Sequence, residues 1–290
     1  MTIKRIALYA NITRLHTQQR TIEEIVLLLQ KRDVEVVTSI QLPQNISHVK
    51  VQPEAWIQQH CQLVLVIGGD GTFLRAAHSL GVHGLPMLGI NKGHLGFLSE
   101  LEEDAFVQHL DSLIQGHFQI EKRMLIQAHI YRDQVKIGSA FGLNDLVINR
   151  HHNENSIDIE VYHGKSLIDR YSGDGLILAT PTGSTGYALS AGGPLIYPGT
   201  DCLLVTPICS HFLGTRAVIV PATDTLDIKI TRMQEKAYFV ADGLACYDLL
   251  EGDYIHVERS KDMIQMVHLC EHPFFEAVRH KLLNRDYRKW

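Results

Sequence analysis

The apolar pentad Leu63-Val64-Leu65-Val66-Ile67 runs straight into Gly68-Gly69-Asp70-Gly71-Thr72, and no other junction constrains the fold as much. A buried strand ends there, and three glycines free the backbone to turn tightly. An amphipathic helix follows, with Phe73, Leu74, Ala77 and Leu80 on one stripe. The same alternation fills about the first 120 residues. Strands are expected at 6–9, 34–37, 63–67 and 85–90. Helices are expected from a capping box at Thr21-Ile22-Glu23-Glu24, from Pro53, after Thr72 and over 103–115. Strands alternating with helices imply a doubly wound parallel sheet, whose ligands lie beyond the carboxyl ends of its strands. The Gly68 to Thr72 turn occupies such a place.

From about Glu121 the pattern changes. Segments such as 124–130, 146–148, 157–162 and 226–230 are short, β-branched and often alternating, with turn residues between them. This reads as an all-β second domain. After Cys270 an apolar face returns at helical spacing (Phe274, Phe275, Val278, Leu282, Leu283), a helix expected to pack back on the first domain. The expected division is residues 1–120, with a helical tail at 272–290, and residues 121–271.

With 45% hydrophobic residues among 290, the chain can bury a substantial core. Its net charge of −5 gives no electrostatic case for nucleic acid or anionic membranes. No run reaches the roughly 18 to 20 apolar residues of a membrane helix, and no signal peptide precedes the first strand. Five scattered cysteines without a C-x-x-C pair read as reduced thiols. The expectation is a soluble cytoplasmic protein. The 17 histidines include no H-E-x-x-H, so no metal ligands are assigned. His151-His152-Asn153-Glu154-Asn155 reads as a polar loop. Walker A and G-x-S-x-G signatures are also missing.

Glycine lets backbone N–H groups approach phosphate oxygens closely, and a helix N-terminus adds partial positive charge. Asp70 is the odd member of the turn, because a carboxylate repels phosphate unless it holds a cation or accepts a proton. The combination suggests phosphoryl transfer to a hydroxyl. A plain strand-to-helix turn with Asp70 as N-cap is the alternative. Residues 172 to 193, SGDGLILATPTGSTGYALSAGG, hold six glycines and a row of hydroxyls from Ser172 to Ser190. Hydroxyls and exposed amides suit the ribose, base and phosphates of a nucleotide, and Tyr187 offers a stacking face. A glycine-rich hairpin with ST-turns is the alternative there.

The GGDGT turn, the long segment GDGLILATPTGSTGYALSAGGP, the stretch Gly89 to Leu98 and Asn144-Asp145 together resemble the NAD kinase family. The likeness runs from about residue 60 to the Phe274-Phe275-Glu276 tail. It implies an N-terminal α/β domain, a C-terminal β-sandwich, a homodimer or homotetramer, and transfer of phosphate from ATP, with Mg²⁺, to NAD. Carried over by motif, Asp70 matches the essential aspartate, and Gly68, Gly69, Gly71 and Thr72 the phosphate-contacting turn. Asn144 and Asp145 match a dinucleotide-binding pair. Asp145 keeps the charge of the family's usual glutamate with one methylene less reach. Asp174 matches the family's D-G-L-I aspartate. Thr185, Gly186, Tyr187 and Ser190 match the adenosine side, with Gly186 in place of the usual alanine. Thr182 and Ser172 lie in the same segment and join the candidate NAD-binding set.

The implied acceptor is the 2′-hydroxyl of the adenosine ribose, oriented and deprotonated by Asp70. Arg75, Lys92 and His94 are candidate phosphate contacts; a solvated helix face is the alternative for Arg75. Asp242-Gly243 reads as a turn, in a region that in the family approaches the substrate. A lipid kinase also carries GGDGT but would need a lipid cleft or basic surface, which the sequence lacks. A non-catalytic nucleotide-binding regulator is a third reading, opposed by Asp70 and the intact glycine turns.

Overall fold

The computed structural model describes residues 2–11, 15–42, 46, 49–91, 96–99, 101–151, 156–234, 236–270 and 274–283. It divides into two compact units, Met1–Lys122 with Ile264–Trp290, and Arg123–Met263.

The first unit contains β1 (Arg5–Ala10), α1 (Leu15–Gln30), β2 (Glu35–Thr38), β3 (Lys50–Val51), α2 (Glu54–His60), β4 (Leu63–Ile67), α3 (Asp70–Ser79), β5 (Met87–Asn91), β6 (Leu101–Glu102) and α4 (Glu103–Gln115). The strands pair in parallel in the order β3-β2-β1-β4-β5-β6. All five β4 residues are buried, which is why that strand reads as an unbroken apolar run. Ile6, Leu8, Leu65 and Ile67 share one core with Ile22, Ile25 and Leu29 of α1 and Phe106, Leu110 and Leu113 of α4.

One expectation fails here. The helix expected to open at Thr21 starts at Leu15. Thr21 is buried mid-helix, and its Oγ1 donates to Glu103 Oε2 at 2.9 Å. A tertiary partner has taken the hydroxyl that a capping box would need.

The second unit contains most of β7 (Gln119–Arg132), then β8 (Val135–Gly142), β9 (Asp145–Arg150), β10 (Ile157–His163), β11 (Ser166–Gly173), β12 (Gly175–Ala179), a 3₁₀ turn at Thr182–Thr185 and α5 (Tyr187–Ser190). β13 (Cys202–Ile208), β14 (Val218–Pro221), β15 (Leu226–Arg232), β16 (Ala237–Ala241), β17 (Leu244–Leu249) and β18 (Tyr254–His268) follow. One sheet runs β14-β13-β12-β9-β16-β17. The other runs β11-β10-β15-β18, with β7 joined to β18 and β8 to β7. The sheets enclose a common core that includes Ile126, Ile148, Ile159, Leu176, Phe239 and Val257.

β12 is buried throughout, so its residues serve two cores. Leu176 and Leu178 face the other sheet, whereas Ile177 and Ala179 meet Ala188, Ile196 and Leu204 on the opposite side. The glycine-rich segment therefore covers the second face of its own sheet.

The chain returns to the first unit late in β18, where Met266 pairs with Met87. The last described elements are α6 (Phe274–Val278) and one π-helical turn, Arg279–Leu283. Cys61, Cys202 and Cys209 are free thiols, Cys270 Sγ lies 3.2 Å from His109 Nε2, and Cys246 lies outside the described side chains. Among the described residues no helix is long and apolar enough to cross a membrane.

Candidate active site

In the first unit the turn after β4 is locked by packing. The Gly68 N–H donates to Ile90 O at 2.8 Å, and its φ of +148° is a conformation that L side chains rarely adopt. A Cβ there would stand 2.6 Å from Thr72 Oγ1, so the buried Thr72 side chain fills the space that glycine leaves. Gly69 is the N-cap residue of α3 and Asp70 its first helical residue. The alternative reading of Asp70 as N-cap is thereby set aside. At this helix start the first N–H groups have no intrahelical carbonyl to meet. Asn91, at the carboxyl end of β5, brings its side chain within 4.0 Å of a Cβ built on Gly69.

The Asp70 carboxylate turns toward the segment 96–99. Phe97 N–H donates to Oδ2 at 2.9 Å, Leu98 N–H to Oδ1 at 3.1 Å, and Ser99 Oγ lies 3.4 Å from Oδ1. A methyl group on Gly96 would overlap Asp70 Oδ1, so only glycine lets the loop come this close. An ionised carboxylate has about four acceptor sites. Three donors leave one for a further proton-bearing group. Arg75 is exposed on α3, and its charge is felt by the Tyr9 phenol, whose pKa burial raises. Lys92 and His94 lie outside the described residues.

In the second unit the candidates gather where β9 begins. Thr180 N–H donates to Asn144 O at 2.9 Å, and Thr180 Oγ1 to Leu143 O. Gly183 presses so closely on the Asn144 carbonyl that no Cβ would fit. A Cβ on Gly186 would lie 3.5 Å from Asn144 Nδ2 and 3.6 Å from Asp145 Oδ2, ordinary contact distances. Tyr187, at the start of α5, presents a backbone N–H to the Asp145 carboxylate and is itself 41% exposed. The geometry thus brings Asn144, Asp145, Gly186 and Tyr187 together. Asn144 Oδ1 is buried and has no hydrogen-bond partner among the described residues.

Several hydroxyls in the row have structural partners. Ser184 is buried, donates to Pro181 O and accepts Ile196 N–H at 3.0 Å. Thr185 Oγ1 donates to Thr182 O, and Thr182 Oγ1 accepts from the buried Arg123 at 3.3 Å. Ser190 is exposed, and Ser172 accepts His211 N–H through its carbonyl.

Asp174 is held by Arg150, Nε to Oδ1 at 2.6 Å. Sequence reading passed over Arg150. The antiparallel register that sets Asn149 opposite Gly175 is what brings the two side chains together. Asp242-Gly243 forms the expected turn, with positive φ at both residues between β16 and β17. The Asp242 carboxylate also accepts the N–H groups of Leu143 (2.7 Å), Asn144 (2.8 Å) and Asp145 (3.0 Å). Burial, and then the Asp242 charge, push the Asp145 carboxyl up to about 7, with the Tyr187 N–H acting in the opposite direction.

A carboxylate at a glycine turn in a parallel sheet, and a tightly held glycine- and hydroxyl-rich segment in a β-sandwich, define a class: phosphotransferases that act on nucleotides. Family comparison agrees. Residues 8–118 match the ATP-NAD kinase N-terminal domain and residues 143–269 its C-terminal domain. An NAD kinase from Symbiobacterium thermophilum is 39% identical over 230 residues, covering 79% of this chain and 81% of that protein. One from Moorella thermoacetica is 34% identical over 284 residues, covering 97% and 89%. Among solved structures, an Archaeoglobus fulgidus NAD kinase in complex with ATP superposes with a TM-score of 0.71 at 26% identity, covering 95% of this chain and 98% of that one. A yeast NADH kinase complexed with NADH shares the fold, with a TM-score of 0.85 at 24% identity over 99% and 89%. The chain belongs to the NAD kinase family, which is one of ATP-dependent kinases.

Proposed function

We propose that this chain transfers the γ-phosphoryl group of ATP to the 2′-hydroxyl of the adenosine ribose of NAD, forming NADP. One observation carries the mechanism: Asp70 is fixed at the glycine turn by two backbone N–H groups and keeps one acceptor site open. The acceptor hydroxyl donates to that site. Because phosphoryl transfer passes through a loose transition state, alignment comes first, and Asp70 takes the proton late. Gly68, Gly69, Gly71 and Thr72 shape the turn whose amides meet the donor phosphates. The exposed Arg75 adds charge at its rim.

Among the described residues no three His, Cys, Asp or Glu side chains converge as a metal cage. Mg²⁺ would arrive with the triphosphate, since it is usually held by few protein ligands together with substrate phosphates, and would supply neutralisation of phosphate charge.

The dinucleotide is assigned to the second unit. Asn144 Oδ1, buried and without a hydrogen-bond partner among the described residues, accepts a hydrogen bond from it, and Asp145 accepts one from a ribose hydroxyl. Tyr187 stacks or shields, and Thr182, Thr185, Gly186 and Ser190 line the adenosine side. Ser172 and the Arg150–Asp174 pair border the same segment. We further propose a homodimer or homotetramer acting in the cytoplasm, where the free thiols stay reduced. Incubation of purified protein with ATP, Mg²⁺ and NAD, followed by an NADP-specific coupled readout, tests the activity. Analytical ultracentrifugation tests the assembly. Failure to form NADP while NAD still binds tightly would leave a nucleotide-binding regulator instead.

A further inference from the structure

The repulsion between Asp70 and an incoming polyphosphate has a built-in answer in the first unit. Lys281, in the π-helical turn near the C-terminus, lays its Nζ over the Phe97 ring, 3.9 Å from the centroid. Phe97 is also the residue whose N–H grips Asp70 Oδ2 at 2.9 Å. Ammonium, ring, amide and carboxylate therefore form one connected chain, although 281 and 97 are far apart in sequence. We propose that Lys281 is a positioning residue for the phosphoryl-transfer reaction, holding the 96–99 loop against Asp70 and compensating that carboxylate's charge as the triphosphate arrives.

A lysine that only packs its stem on the surface keeps its ammonium in water. Lys281 does not. Burial lowers its pKa, and the Asp70 charge acts in the opposite direction, so the cation over the Phe97 ring is partly desolvated and feels that carboxylate's charge. Arg75 shares α3 with Asp70, but its charge is felt at Tyr9. Lys281 thus supplies a second cation beside the Arg75 of α3, on a flexible stem that can follow the arriving phosphate.

This inference rests on the reading of Asp70 as the residue that meets the acceptor hydroxyl, so Asp70→Asn is assayed in parallel. Lys281→Met keeps the stem and removes the charge. The expected result is a kcat lower by about tenfold or more and a KM for ATP raised several-fold, with the KM for NAD within about twofold. Lys281→Arg should restore most of the loss, since guanidinium keeps the charge and stacks on the ring. Added ethylammonium should partly rescue Lys281→Ala, whereas ethanol should not. Circular-dichroism melts establish that each variant folds; if the Met variant does not, Lys281→Gln is read in the same way. Wild-type kcat and KM for ATP in Lys281→Met would overturn the proposal. So would a loss that neither arginine nor the amine repairs. If Asp70→Asn is inactive while Lys281→Met is unaffected, only this inference fails; wild-type turnover in Asp70→Asn removes the underlying reading as well.

Discussion

The carboxylate of Asp242 accepts the backbone N–H of Asp145 at 3.0 Å while its charge opposes the Asp145 side chain. One residue both organises the start of β9 and raises the energy of an ionised neighbour. In the folded protein Asp145 holds its proton until about pH 7. In the unfolded chain it releases it near ~3.9. Between those values rising pH favours the unfolded state, and above about 7 the effect is complete. Asp145→Asn should therefore leave stability unchanged near pH 4 and raise it by roughly 1–3 kcal/mol at pH 8. Urea melts at both values measure it, and an equal gain at both would contradict this origin.

The same pair bears on binding. If Asp145 accepts a ribose hydroxyl as an anion, NAD affinity should weaken as pH falls below about 7, and Asp145→Asn should flatten that dependence. Calorimetric titration of NAD between pH 6 and pH 8 reads both, and a wild-type affinity independent of pH would count against the contact.

Three amides lose their acceptor in Asp242→Ala, and the turn residue at positive φ becomes one that tolerates it poorly. We expect a loss of about 2–4 kcal/mol in denaturant unfolding, because hydrogen bonds to charged groups are among the stronger ones. Asp242→Asn keeps the turn and part of the acceptor set, and should lose less. Similar losses in both variants would show that the three amides contribute little.

Asp70→Asn should preserve the fold and NAD binding while lowering kcat by about 10²–10⁴, the usual range for loss of a positioned acid–base group. Steady-state kinetics with a melting curve decides. Near-normal turnover would leave Asp70 as no more than a loop anchor.

Gly96→Ala isolates the anchor from the chemistry. The added methyl overlaps Asp70 Oδ1, so the 96–99 loop must move away from the carboxylate. Turnover should fall by at least about tenfold while the melting temperature changes by only a few degrees, since the residue lies outside the apolar core. Unchanged turnover would mean that the clamp on Asp70 is dispensable.

The sequence by itself determined the strand-to-helix alternation, the buried β4, the β-rich second unit and the two glycine segments. Each is written in local periodicity or in residues that only a tight turn requires. Resemblance to the NAD kinase family also marked Asp70, Asn144, Asp145 and Tyr187 as candidates, because the motifs that carry it are contiguous. Tertiary structure decided the rest. Thr21 looked like a cap until Glu103, 82 residues away, claimed its hydroxyl. Arg150 for Asp174, Asp242 for the 143–145 amides, the 96–99 loop for Asp70 and Lys281 for Phe97 are all partners distant in the chain. Local spacing carries no record of such pairs. They exist only once strand register and packing have brought the segments together, and packing also sets the burial that shifts the Asp145 proton.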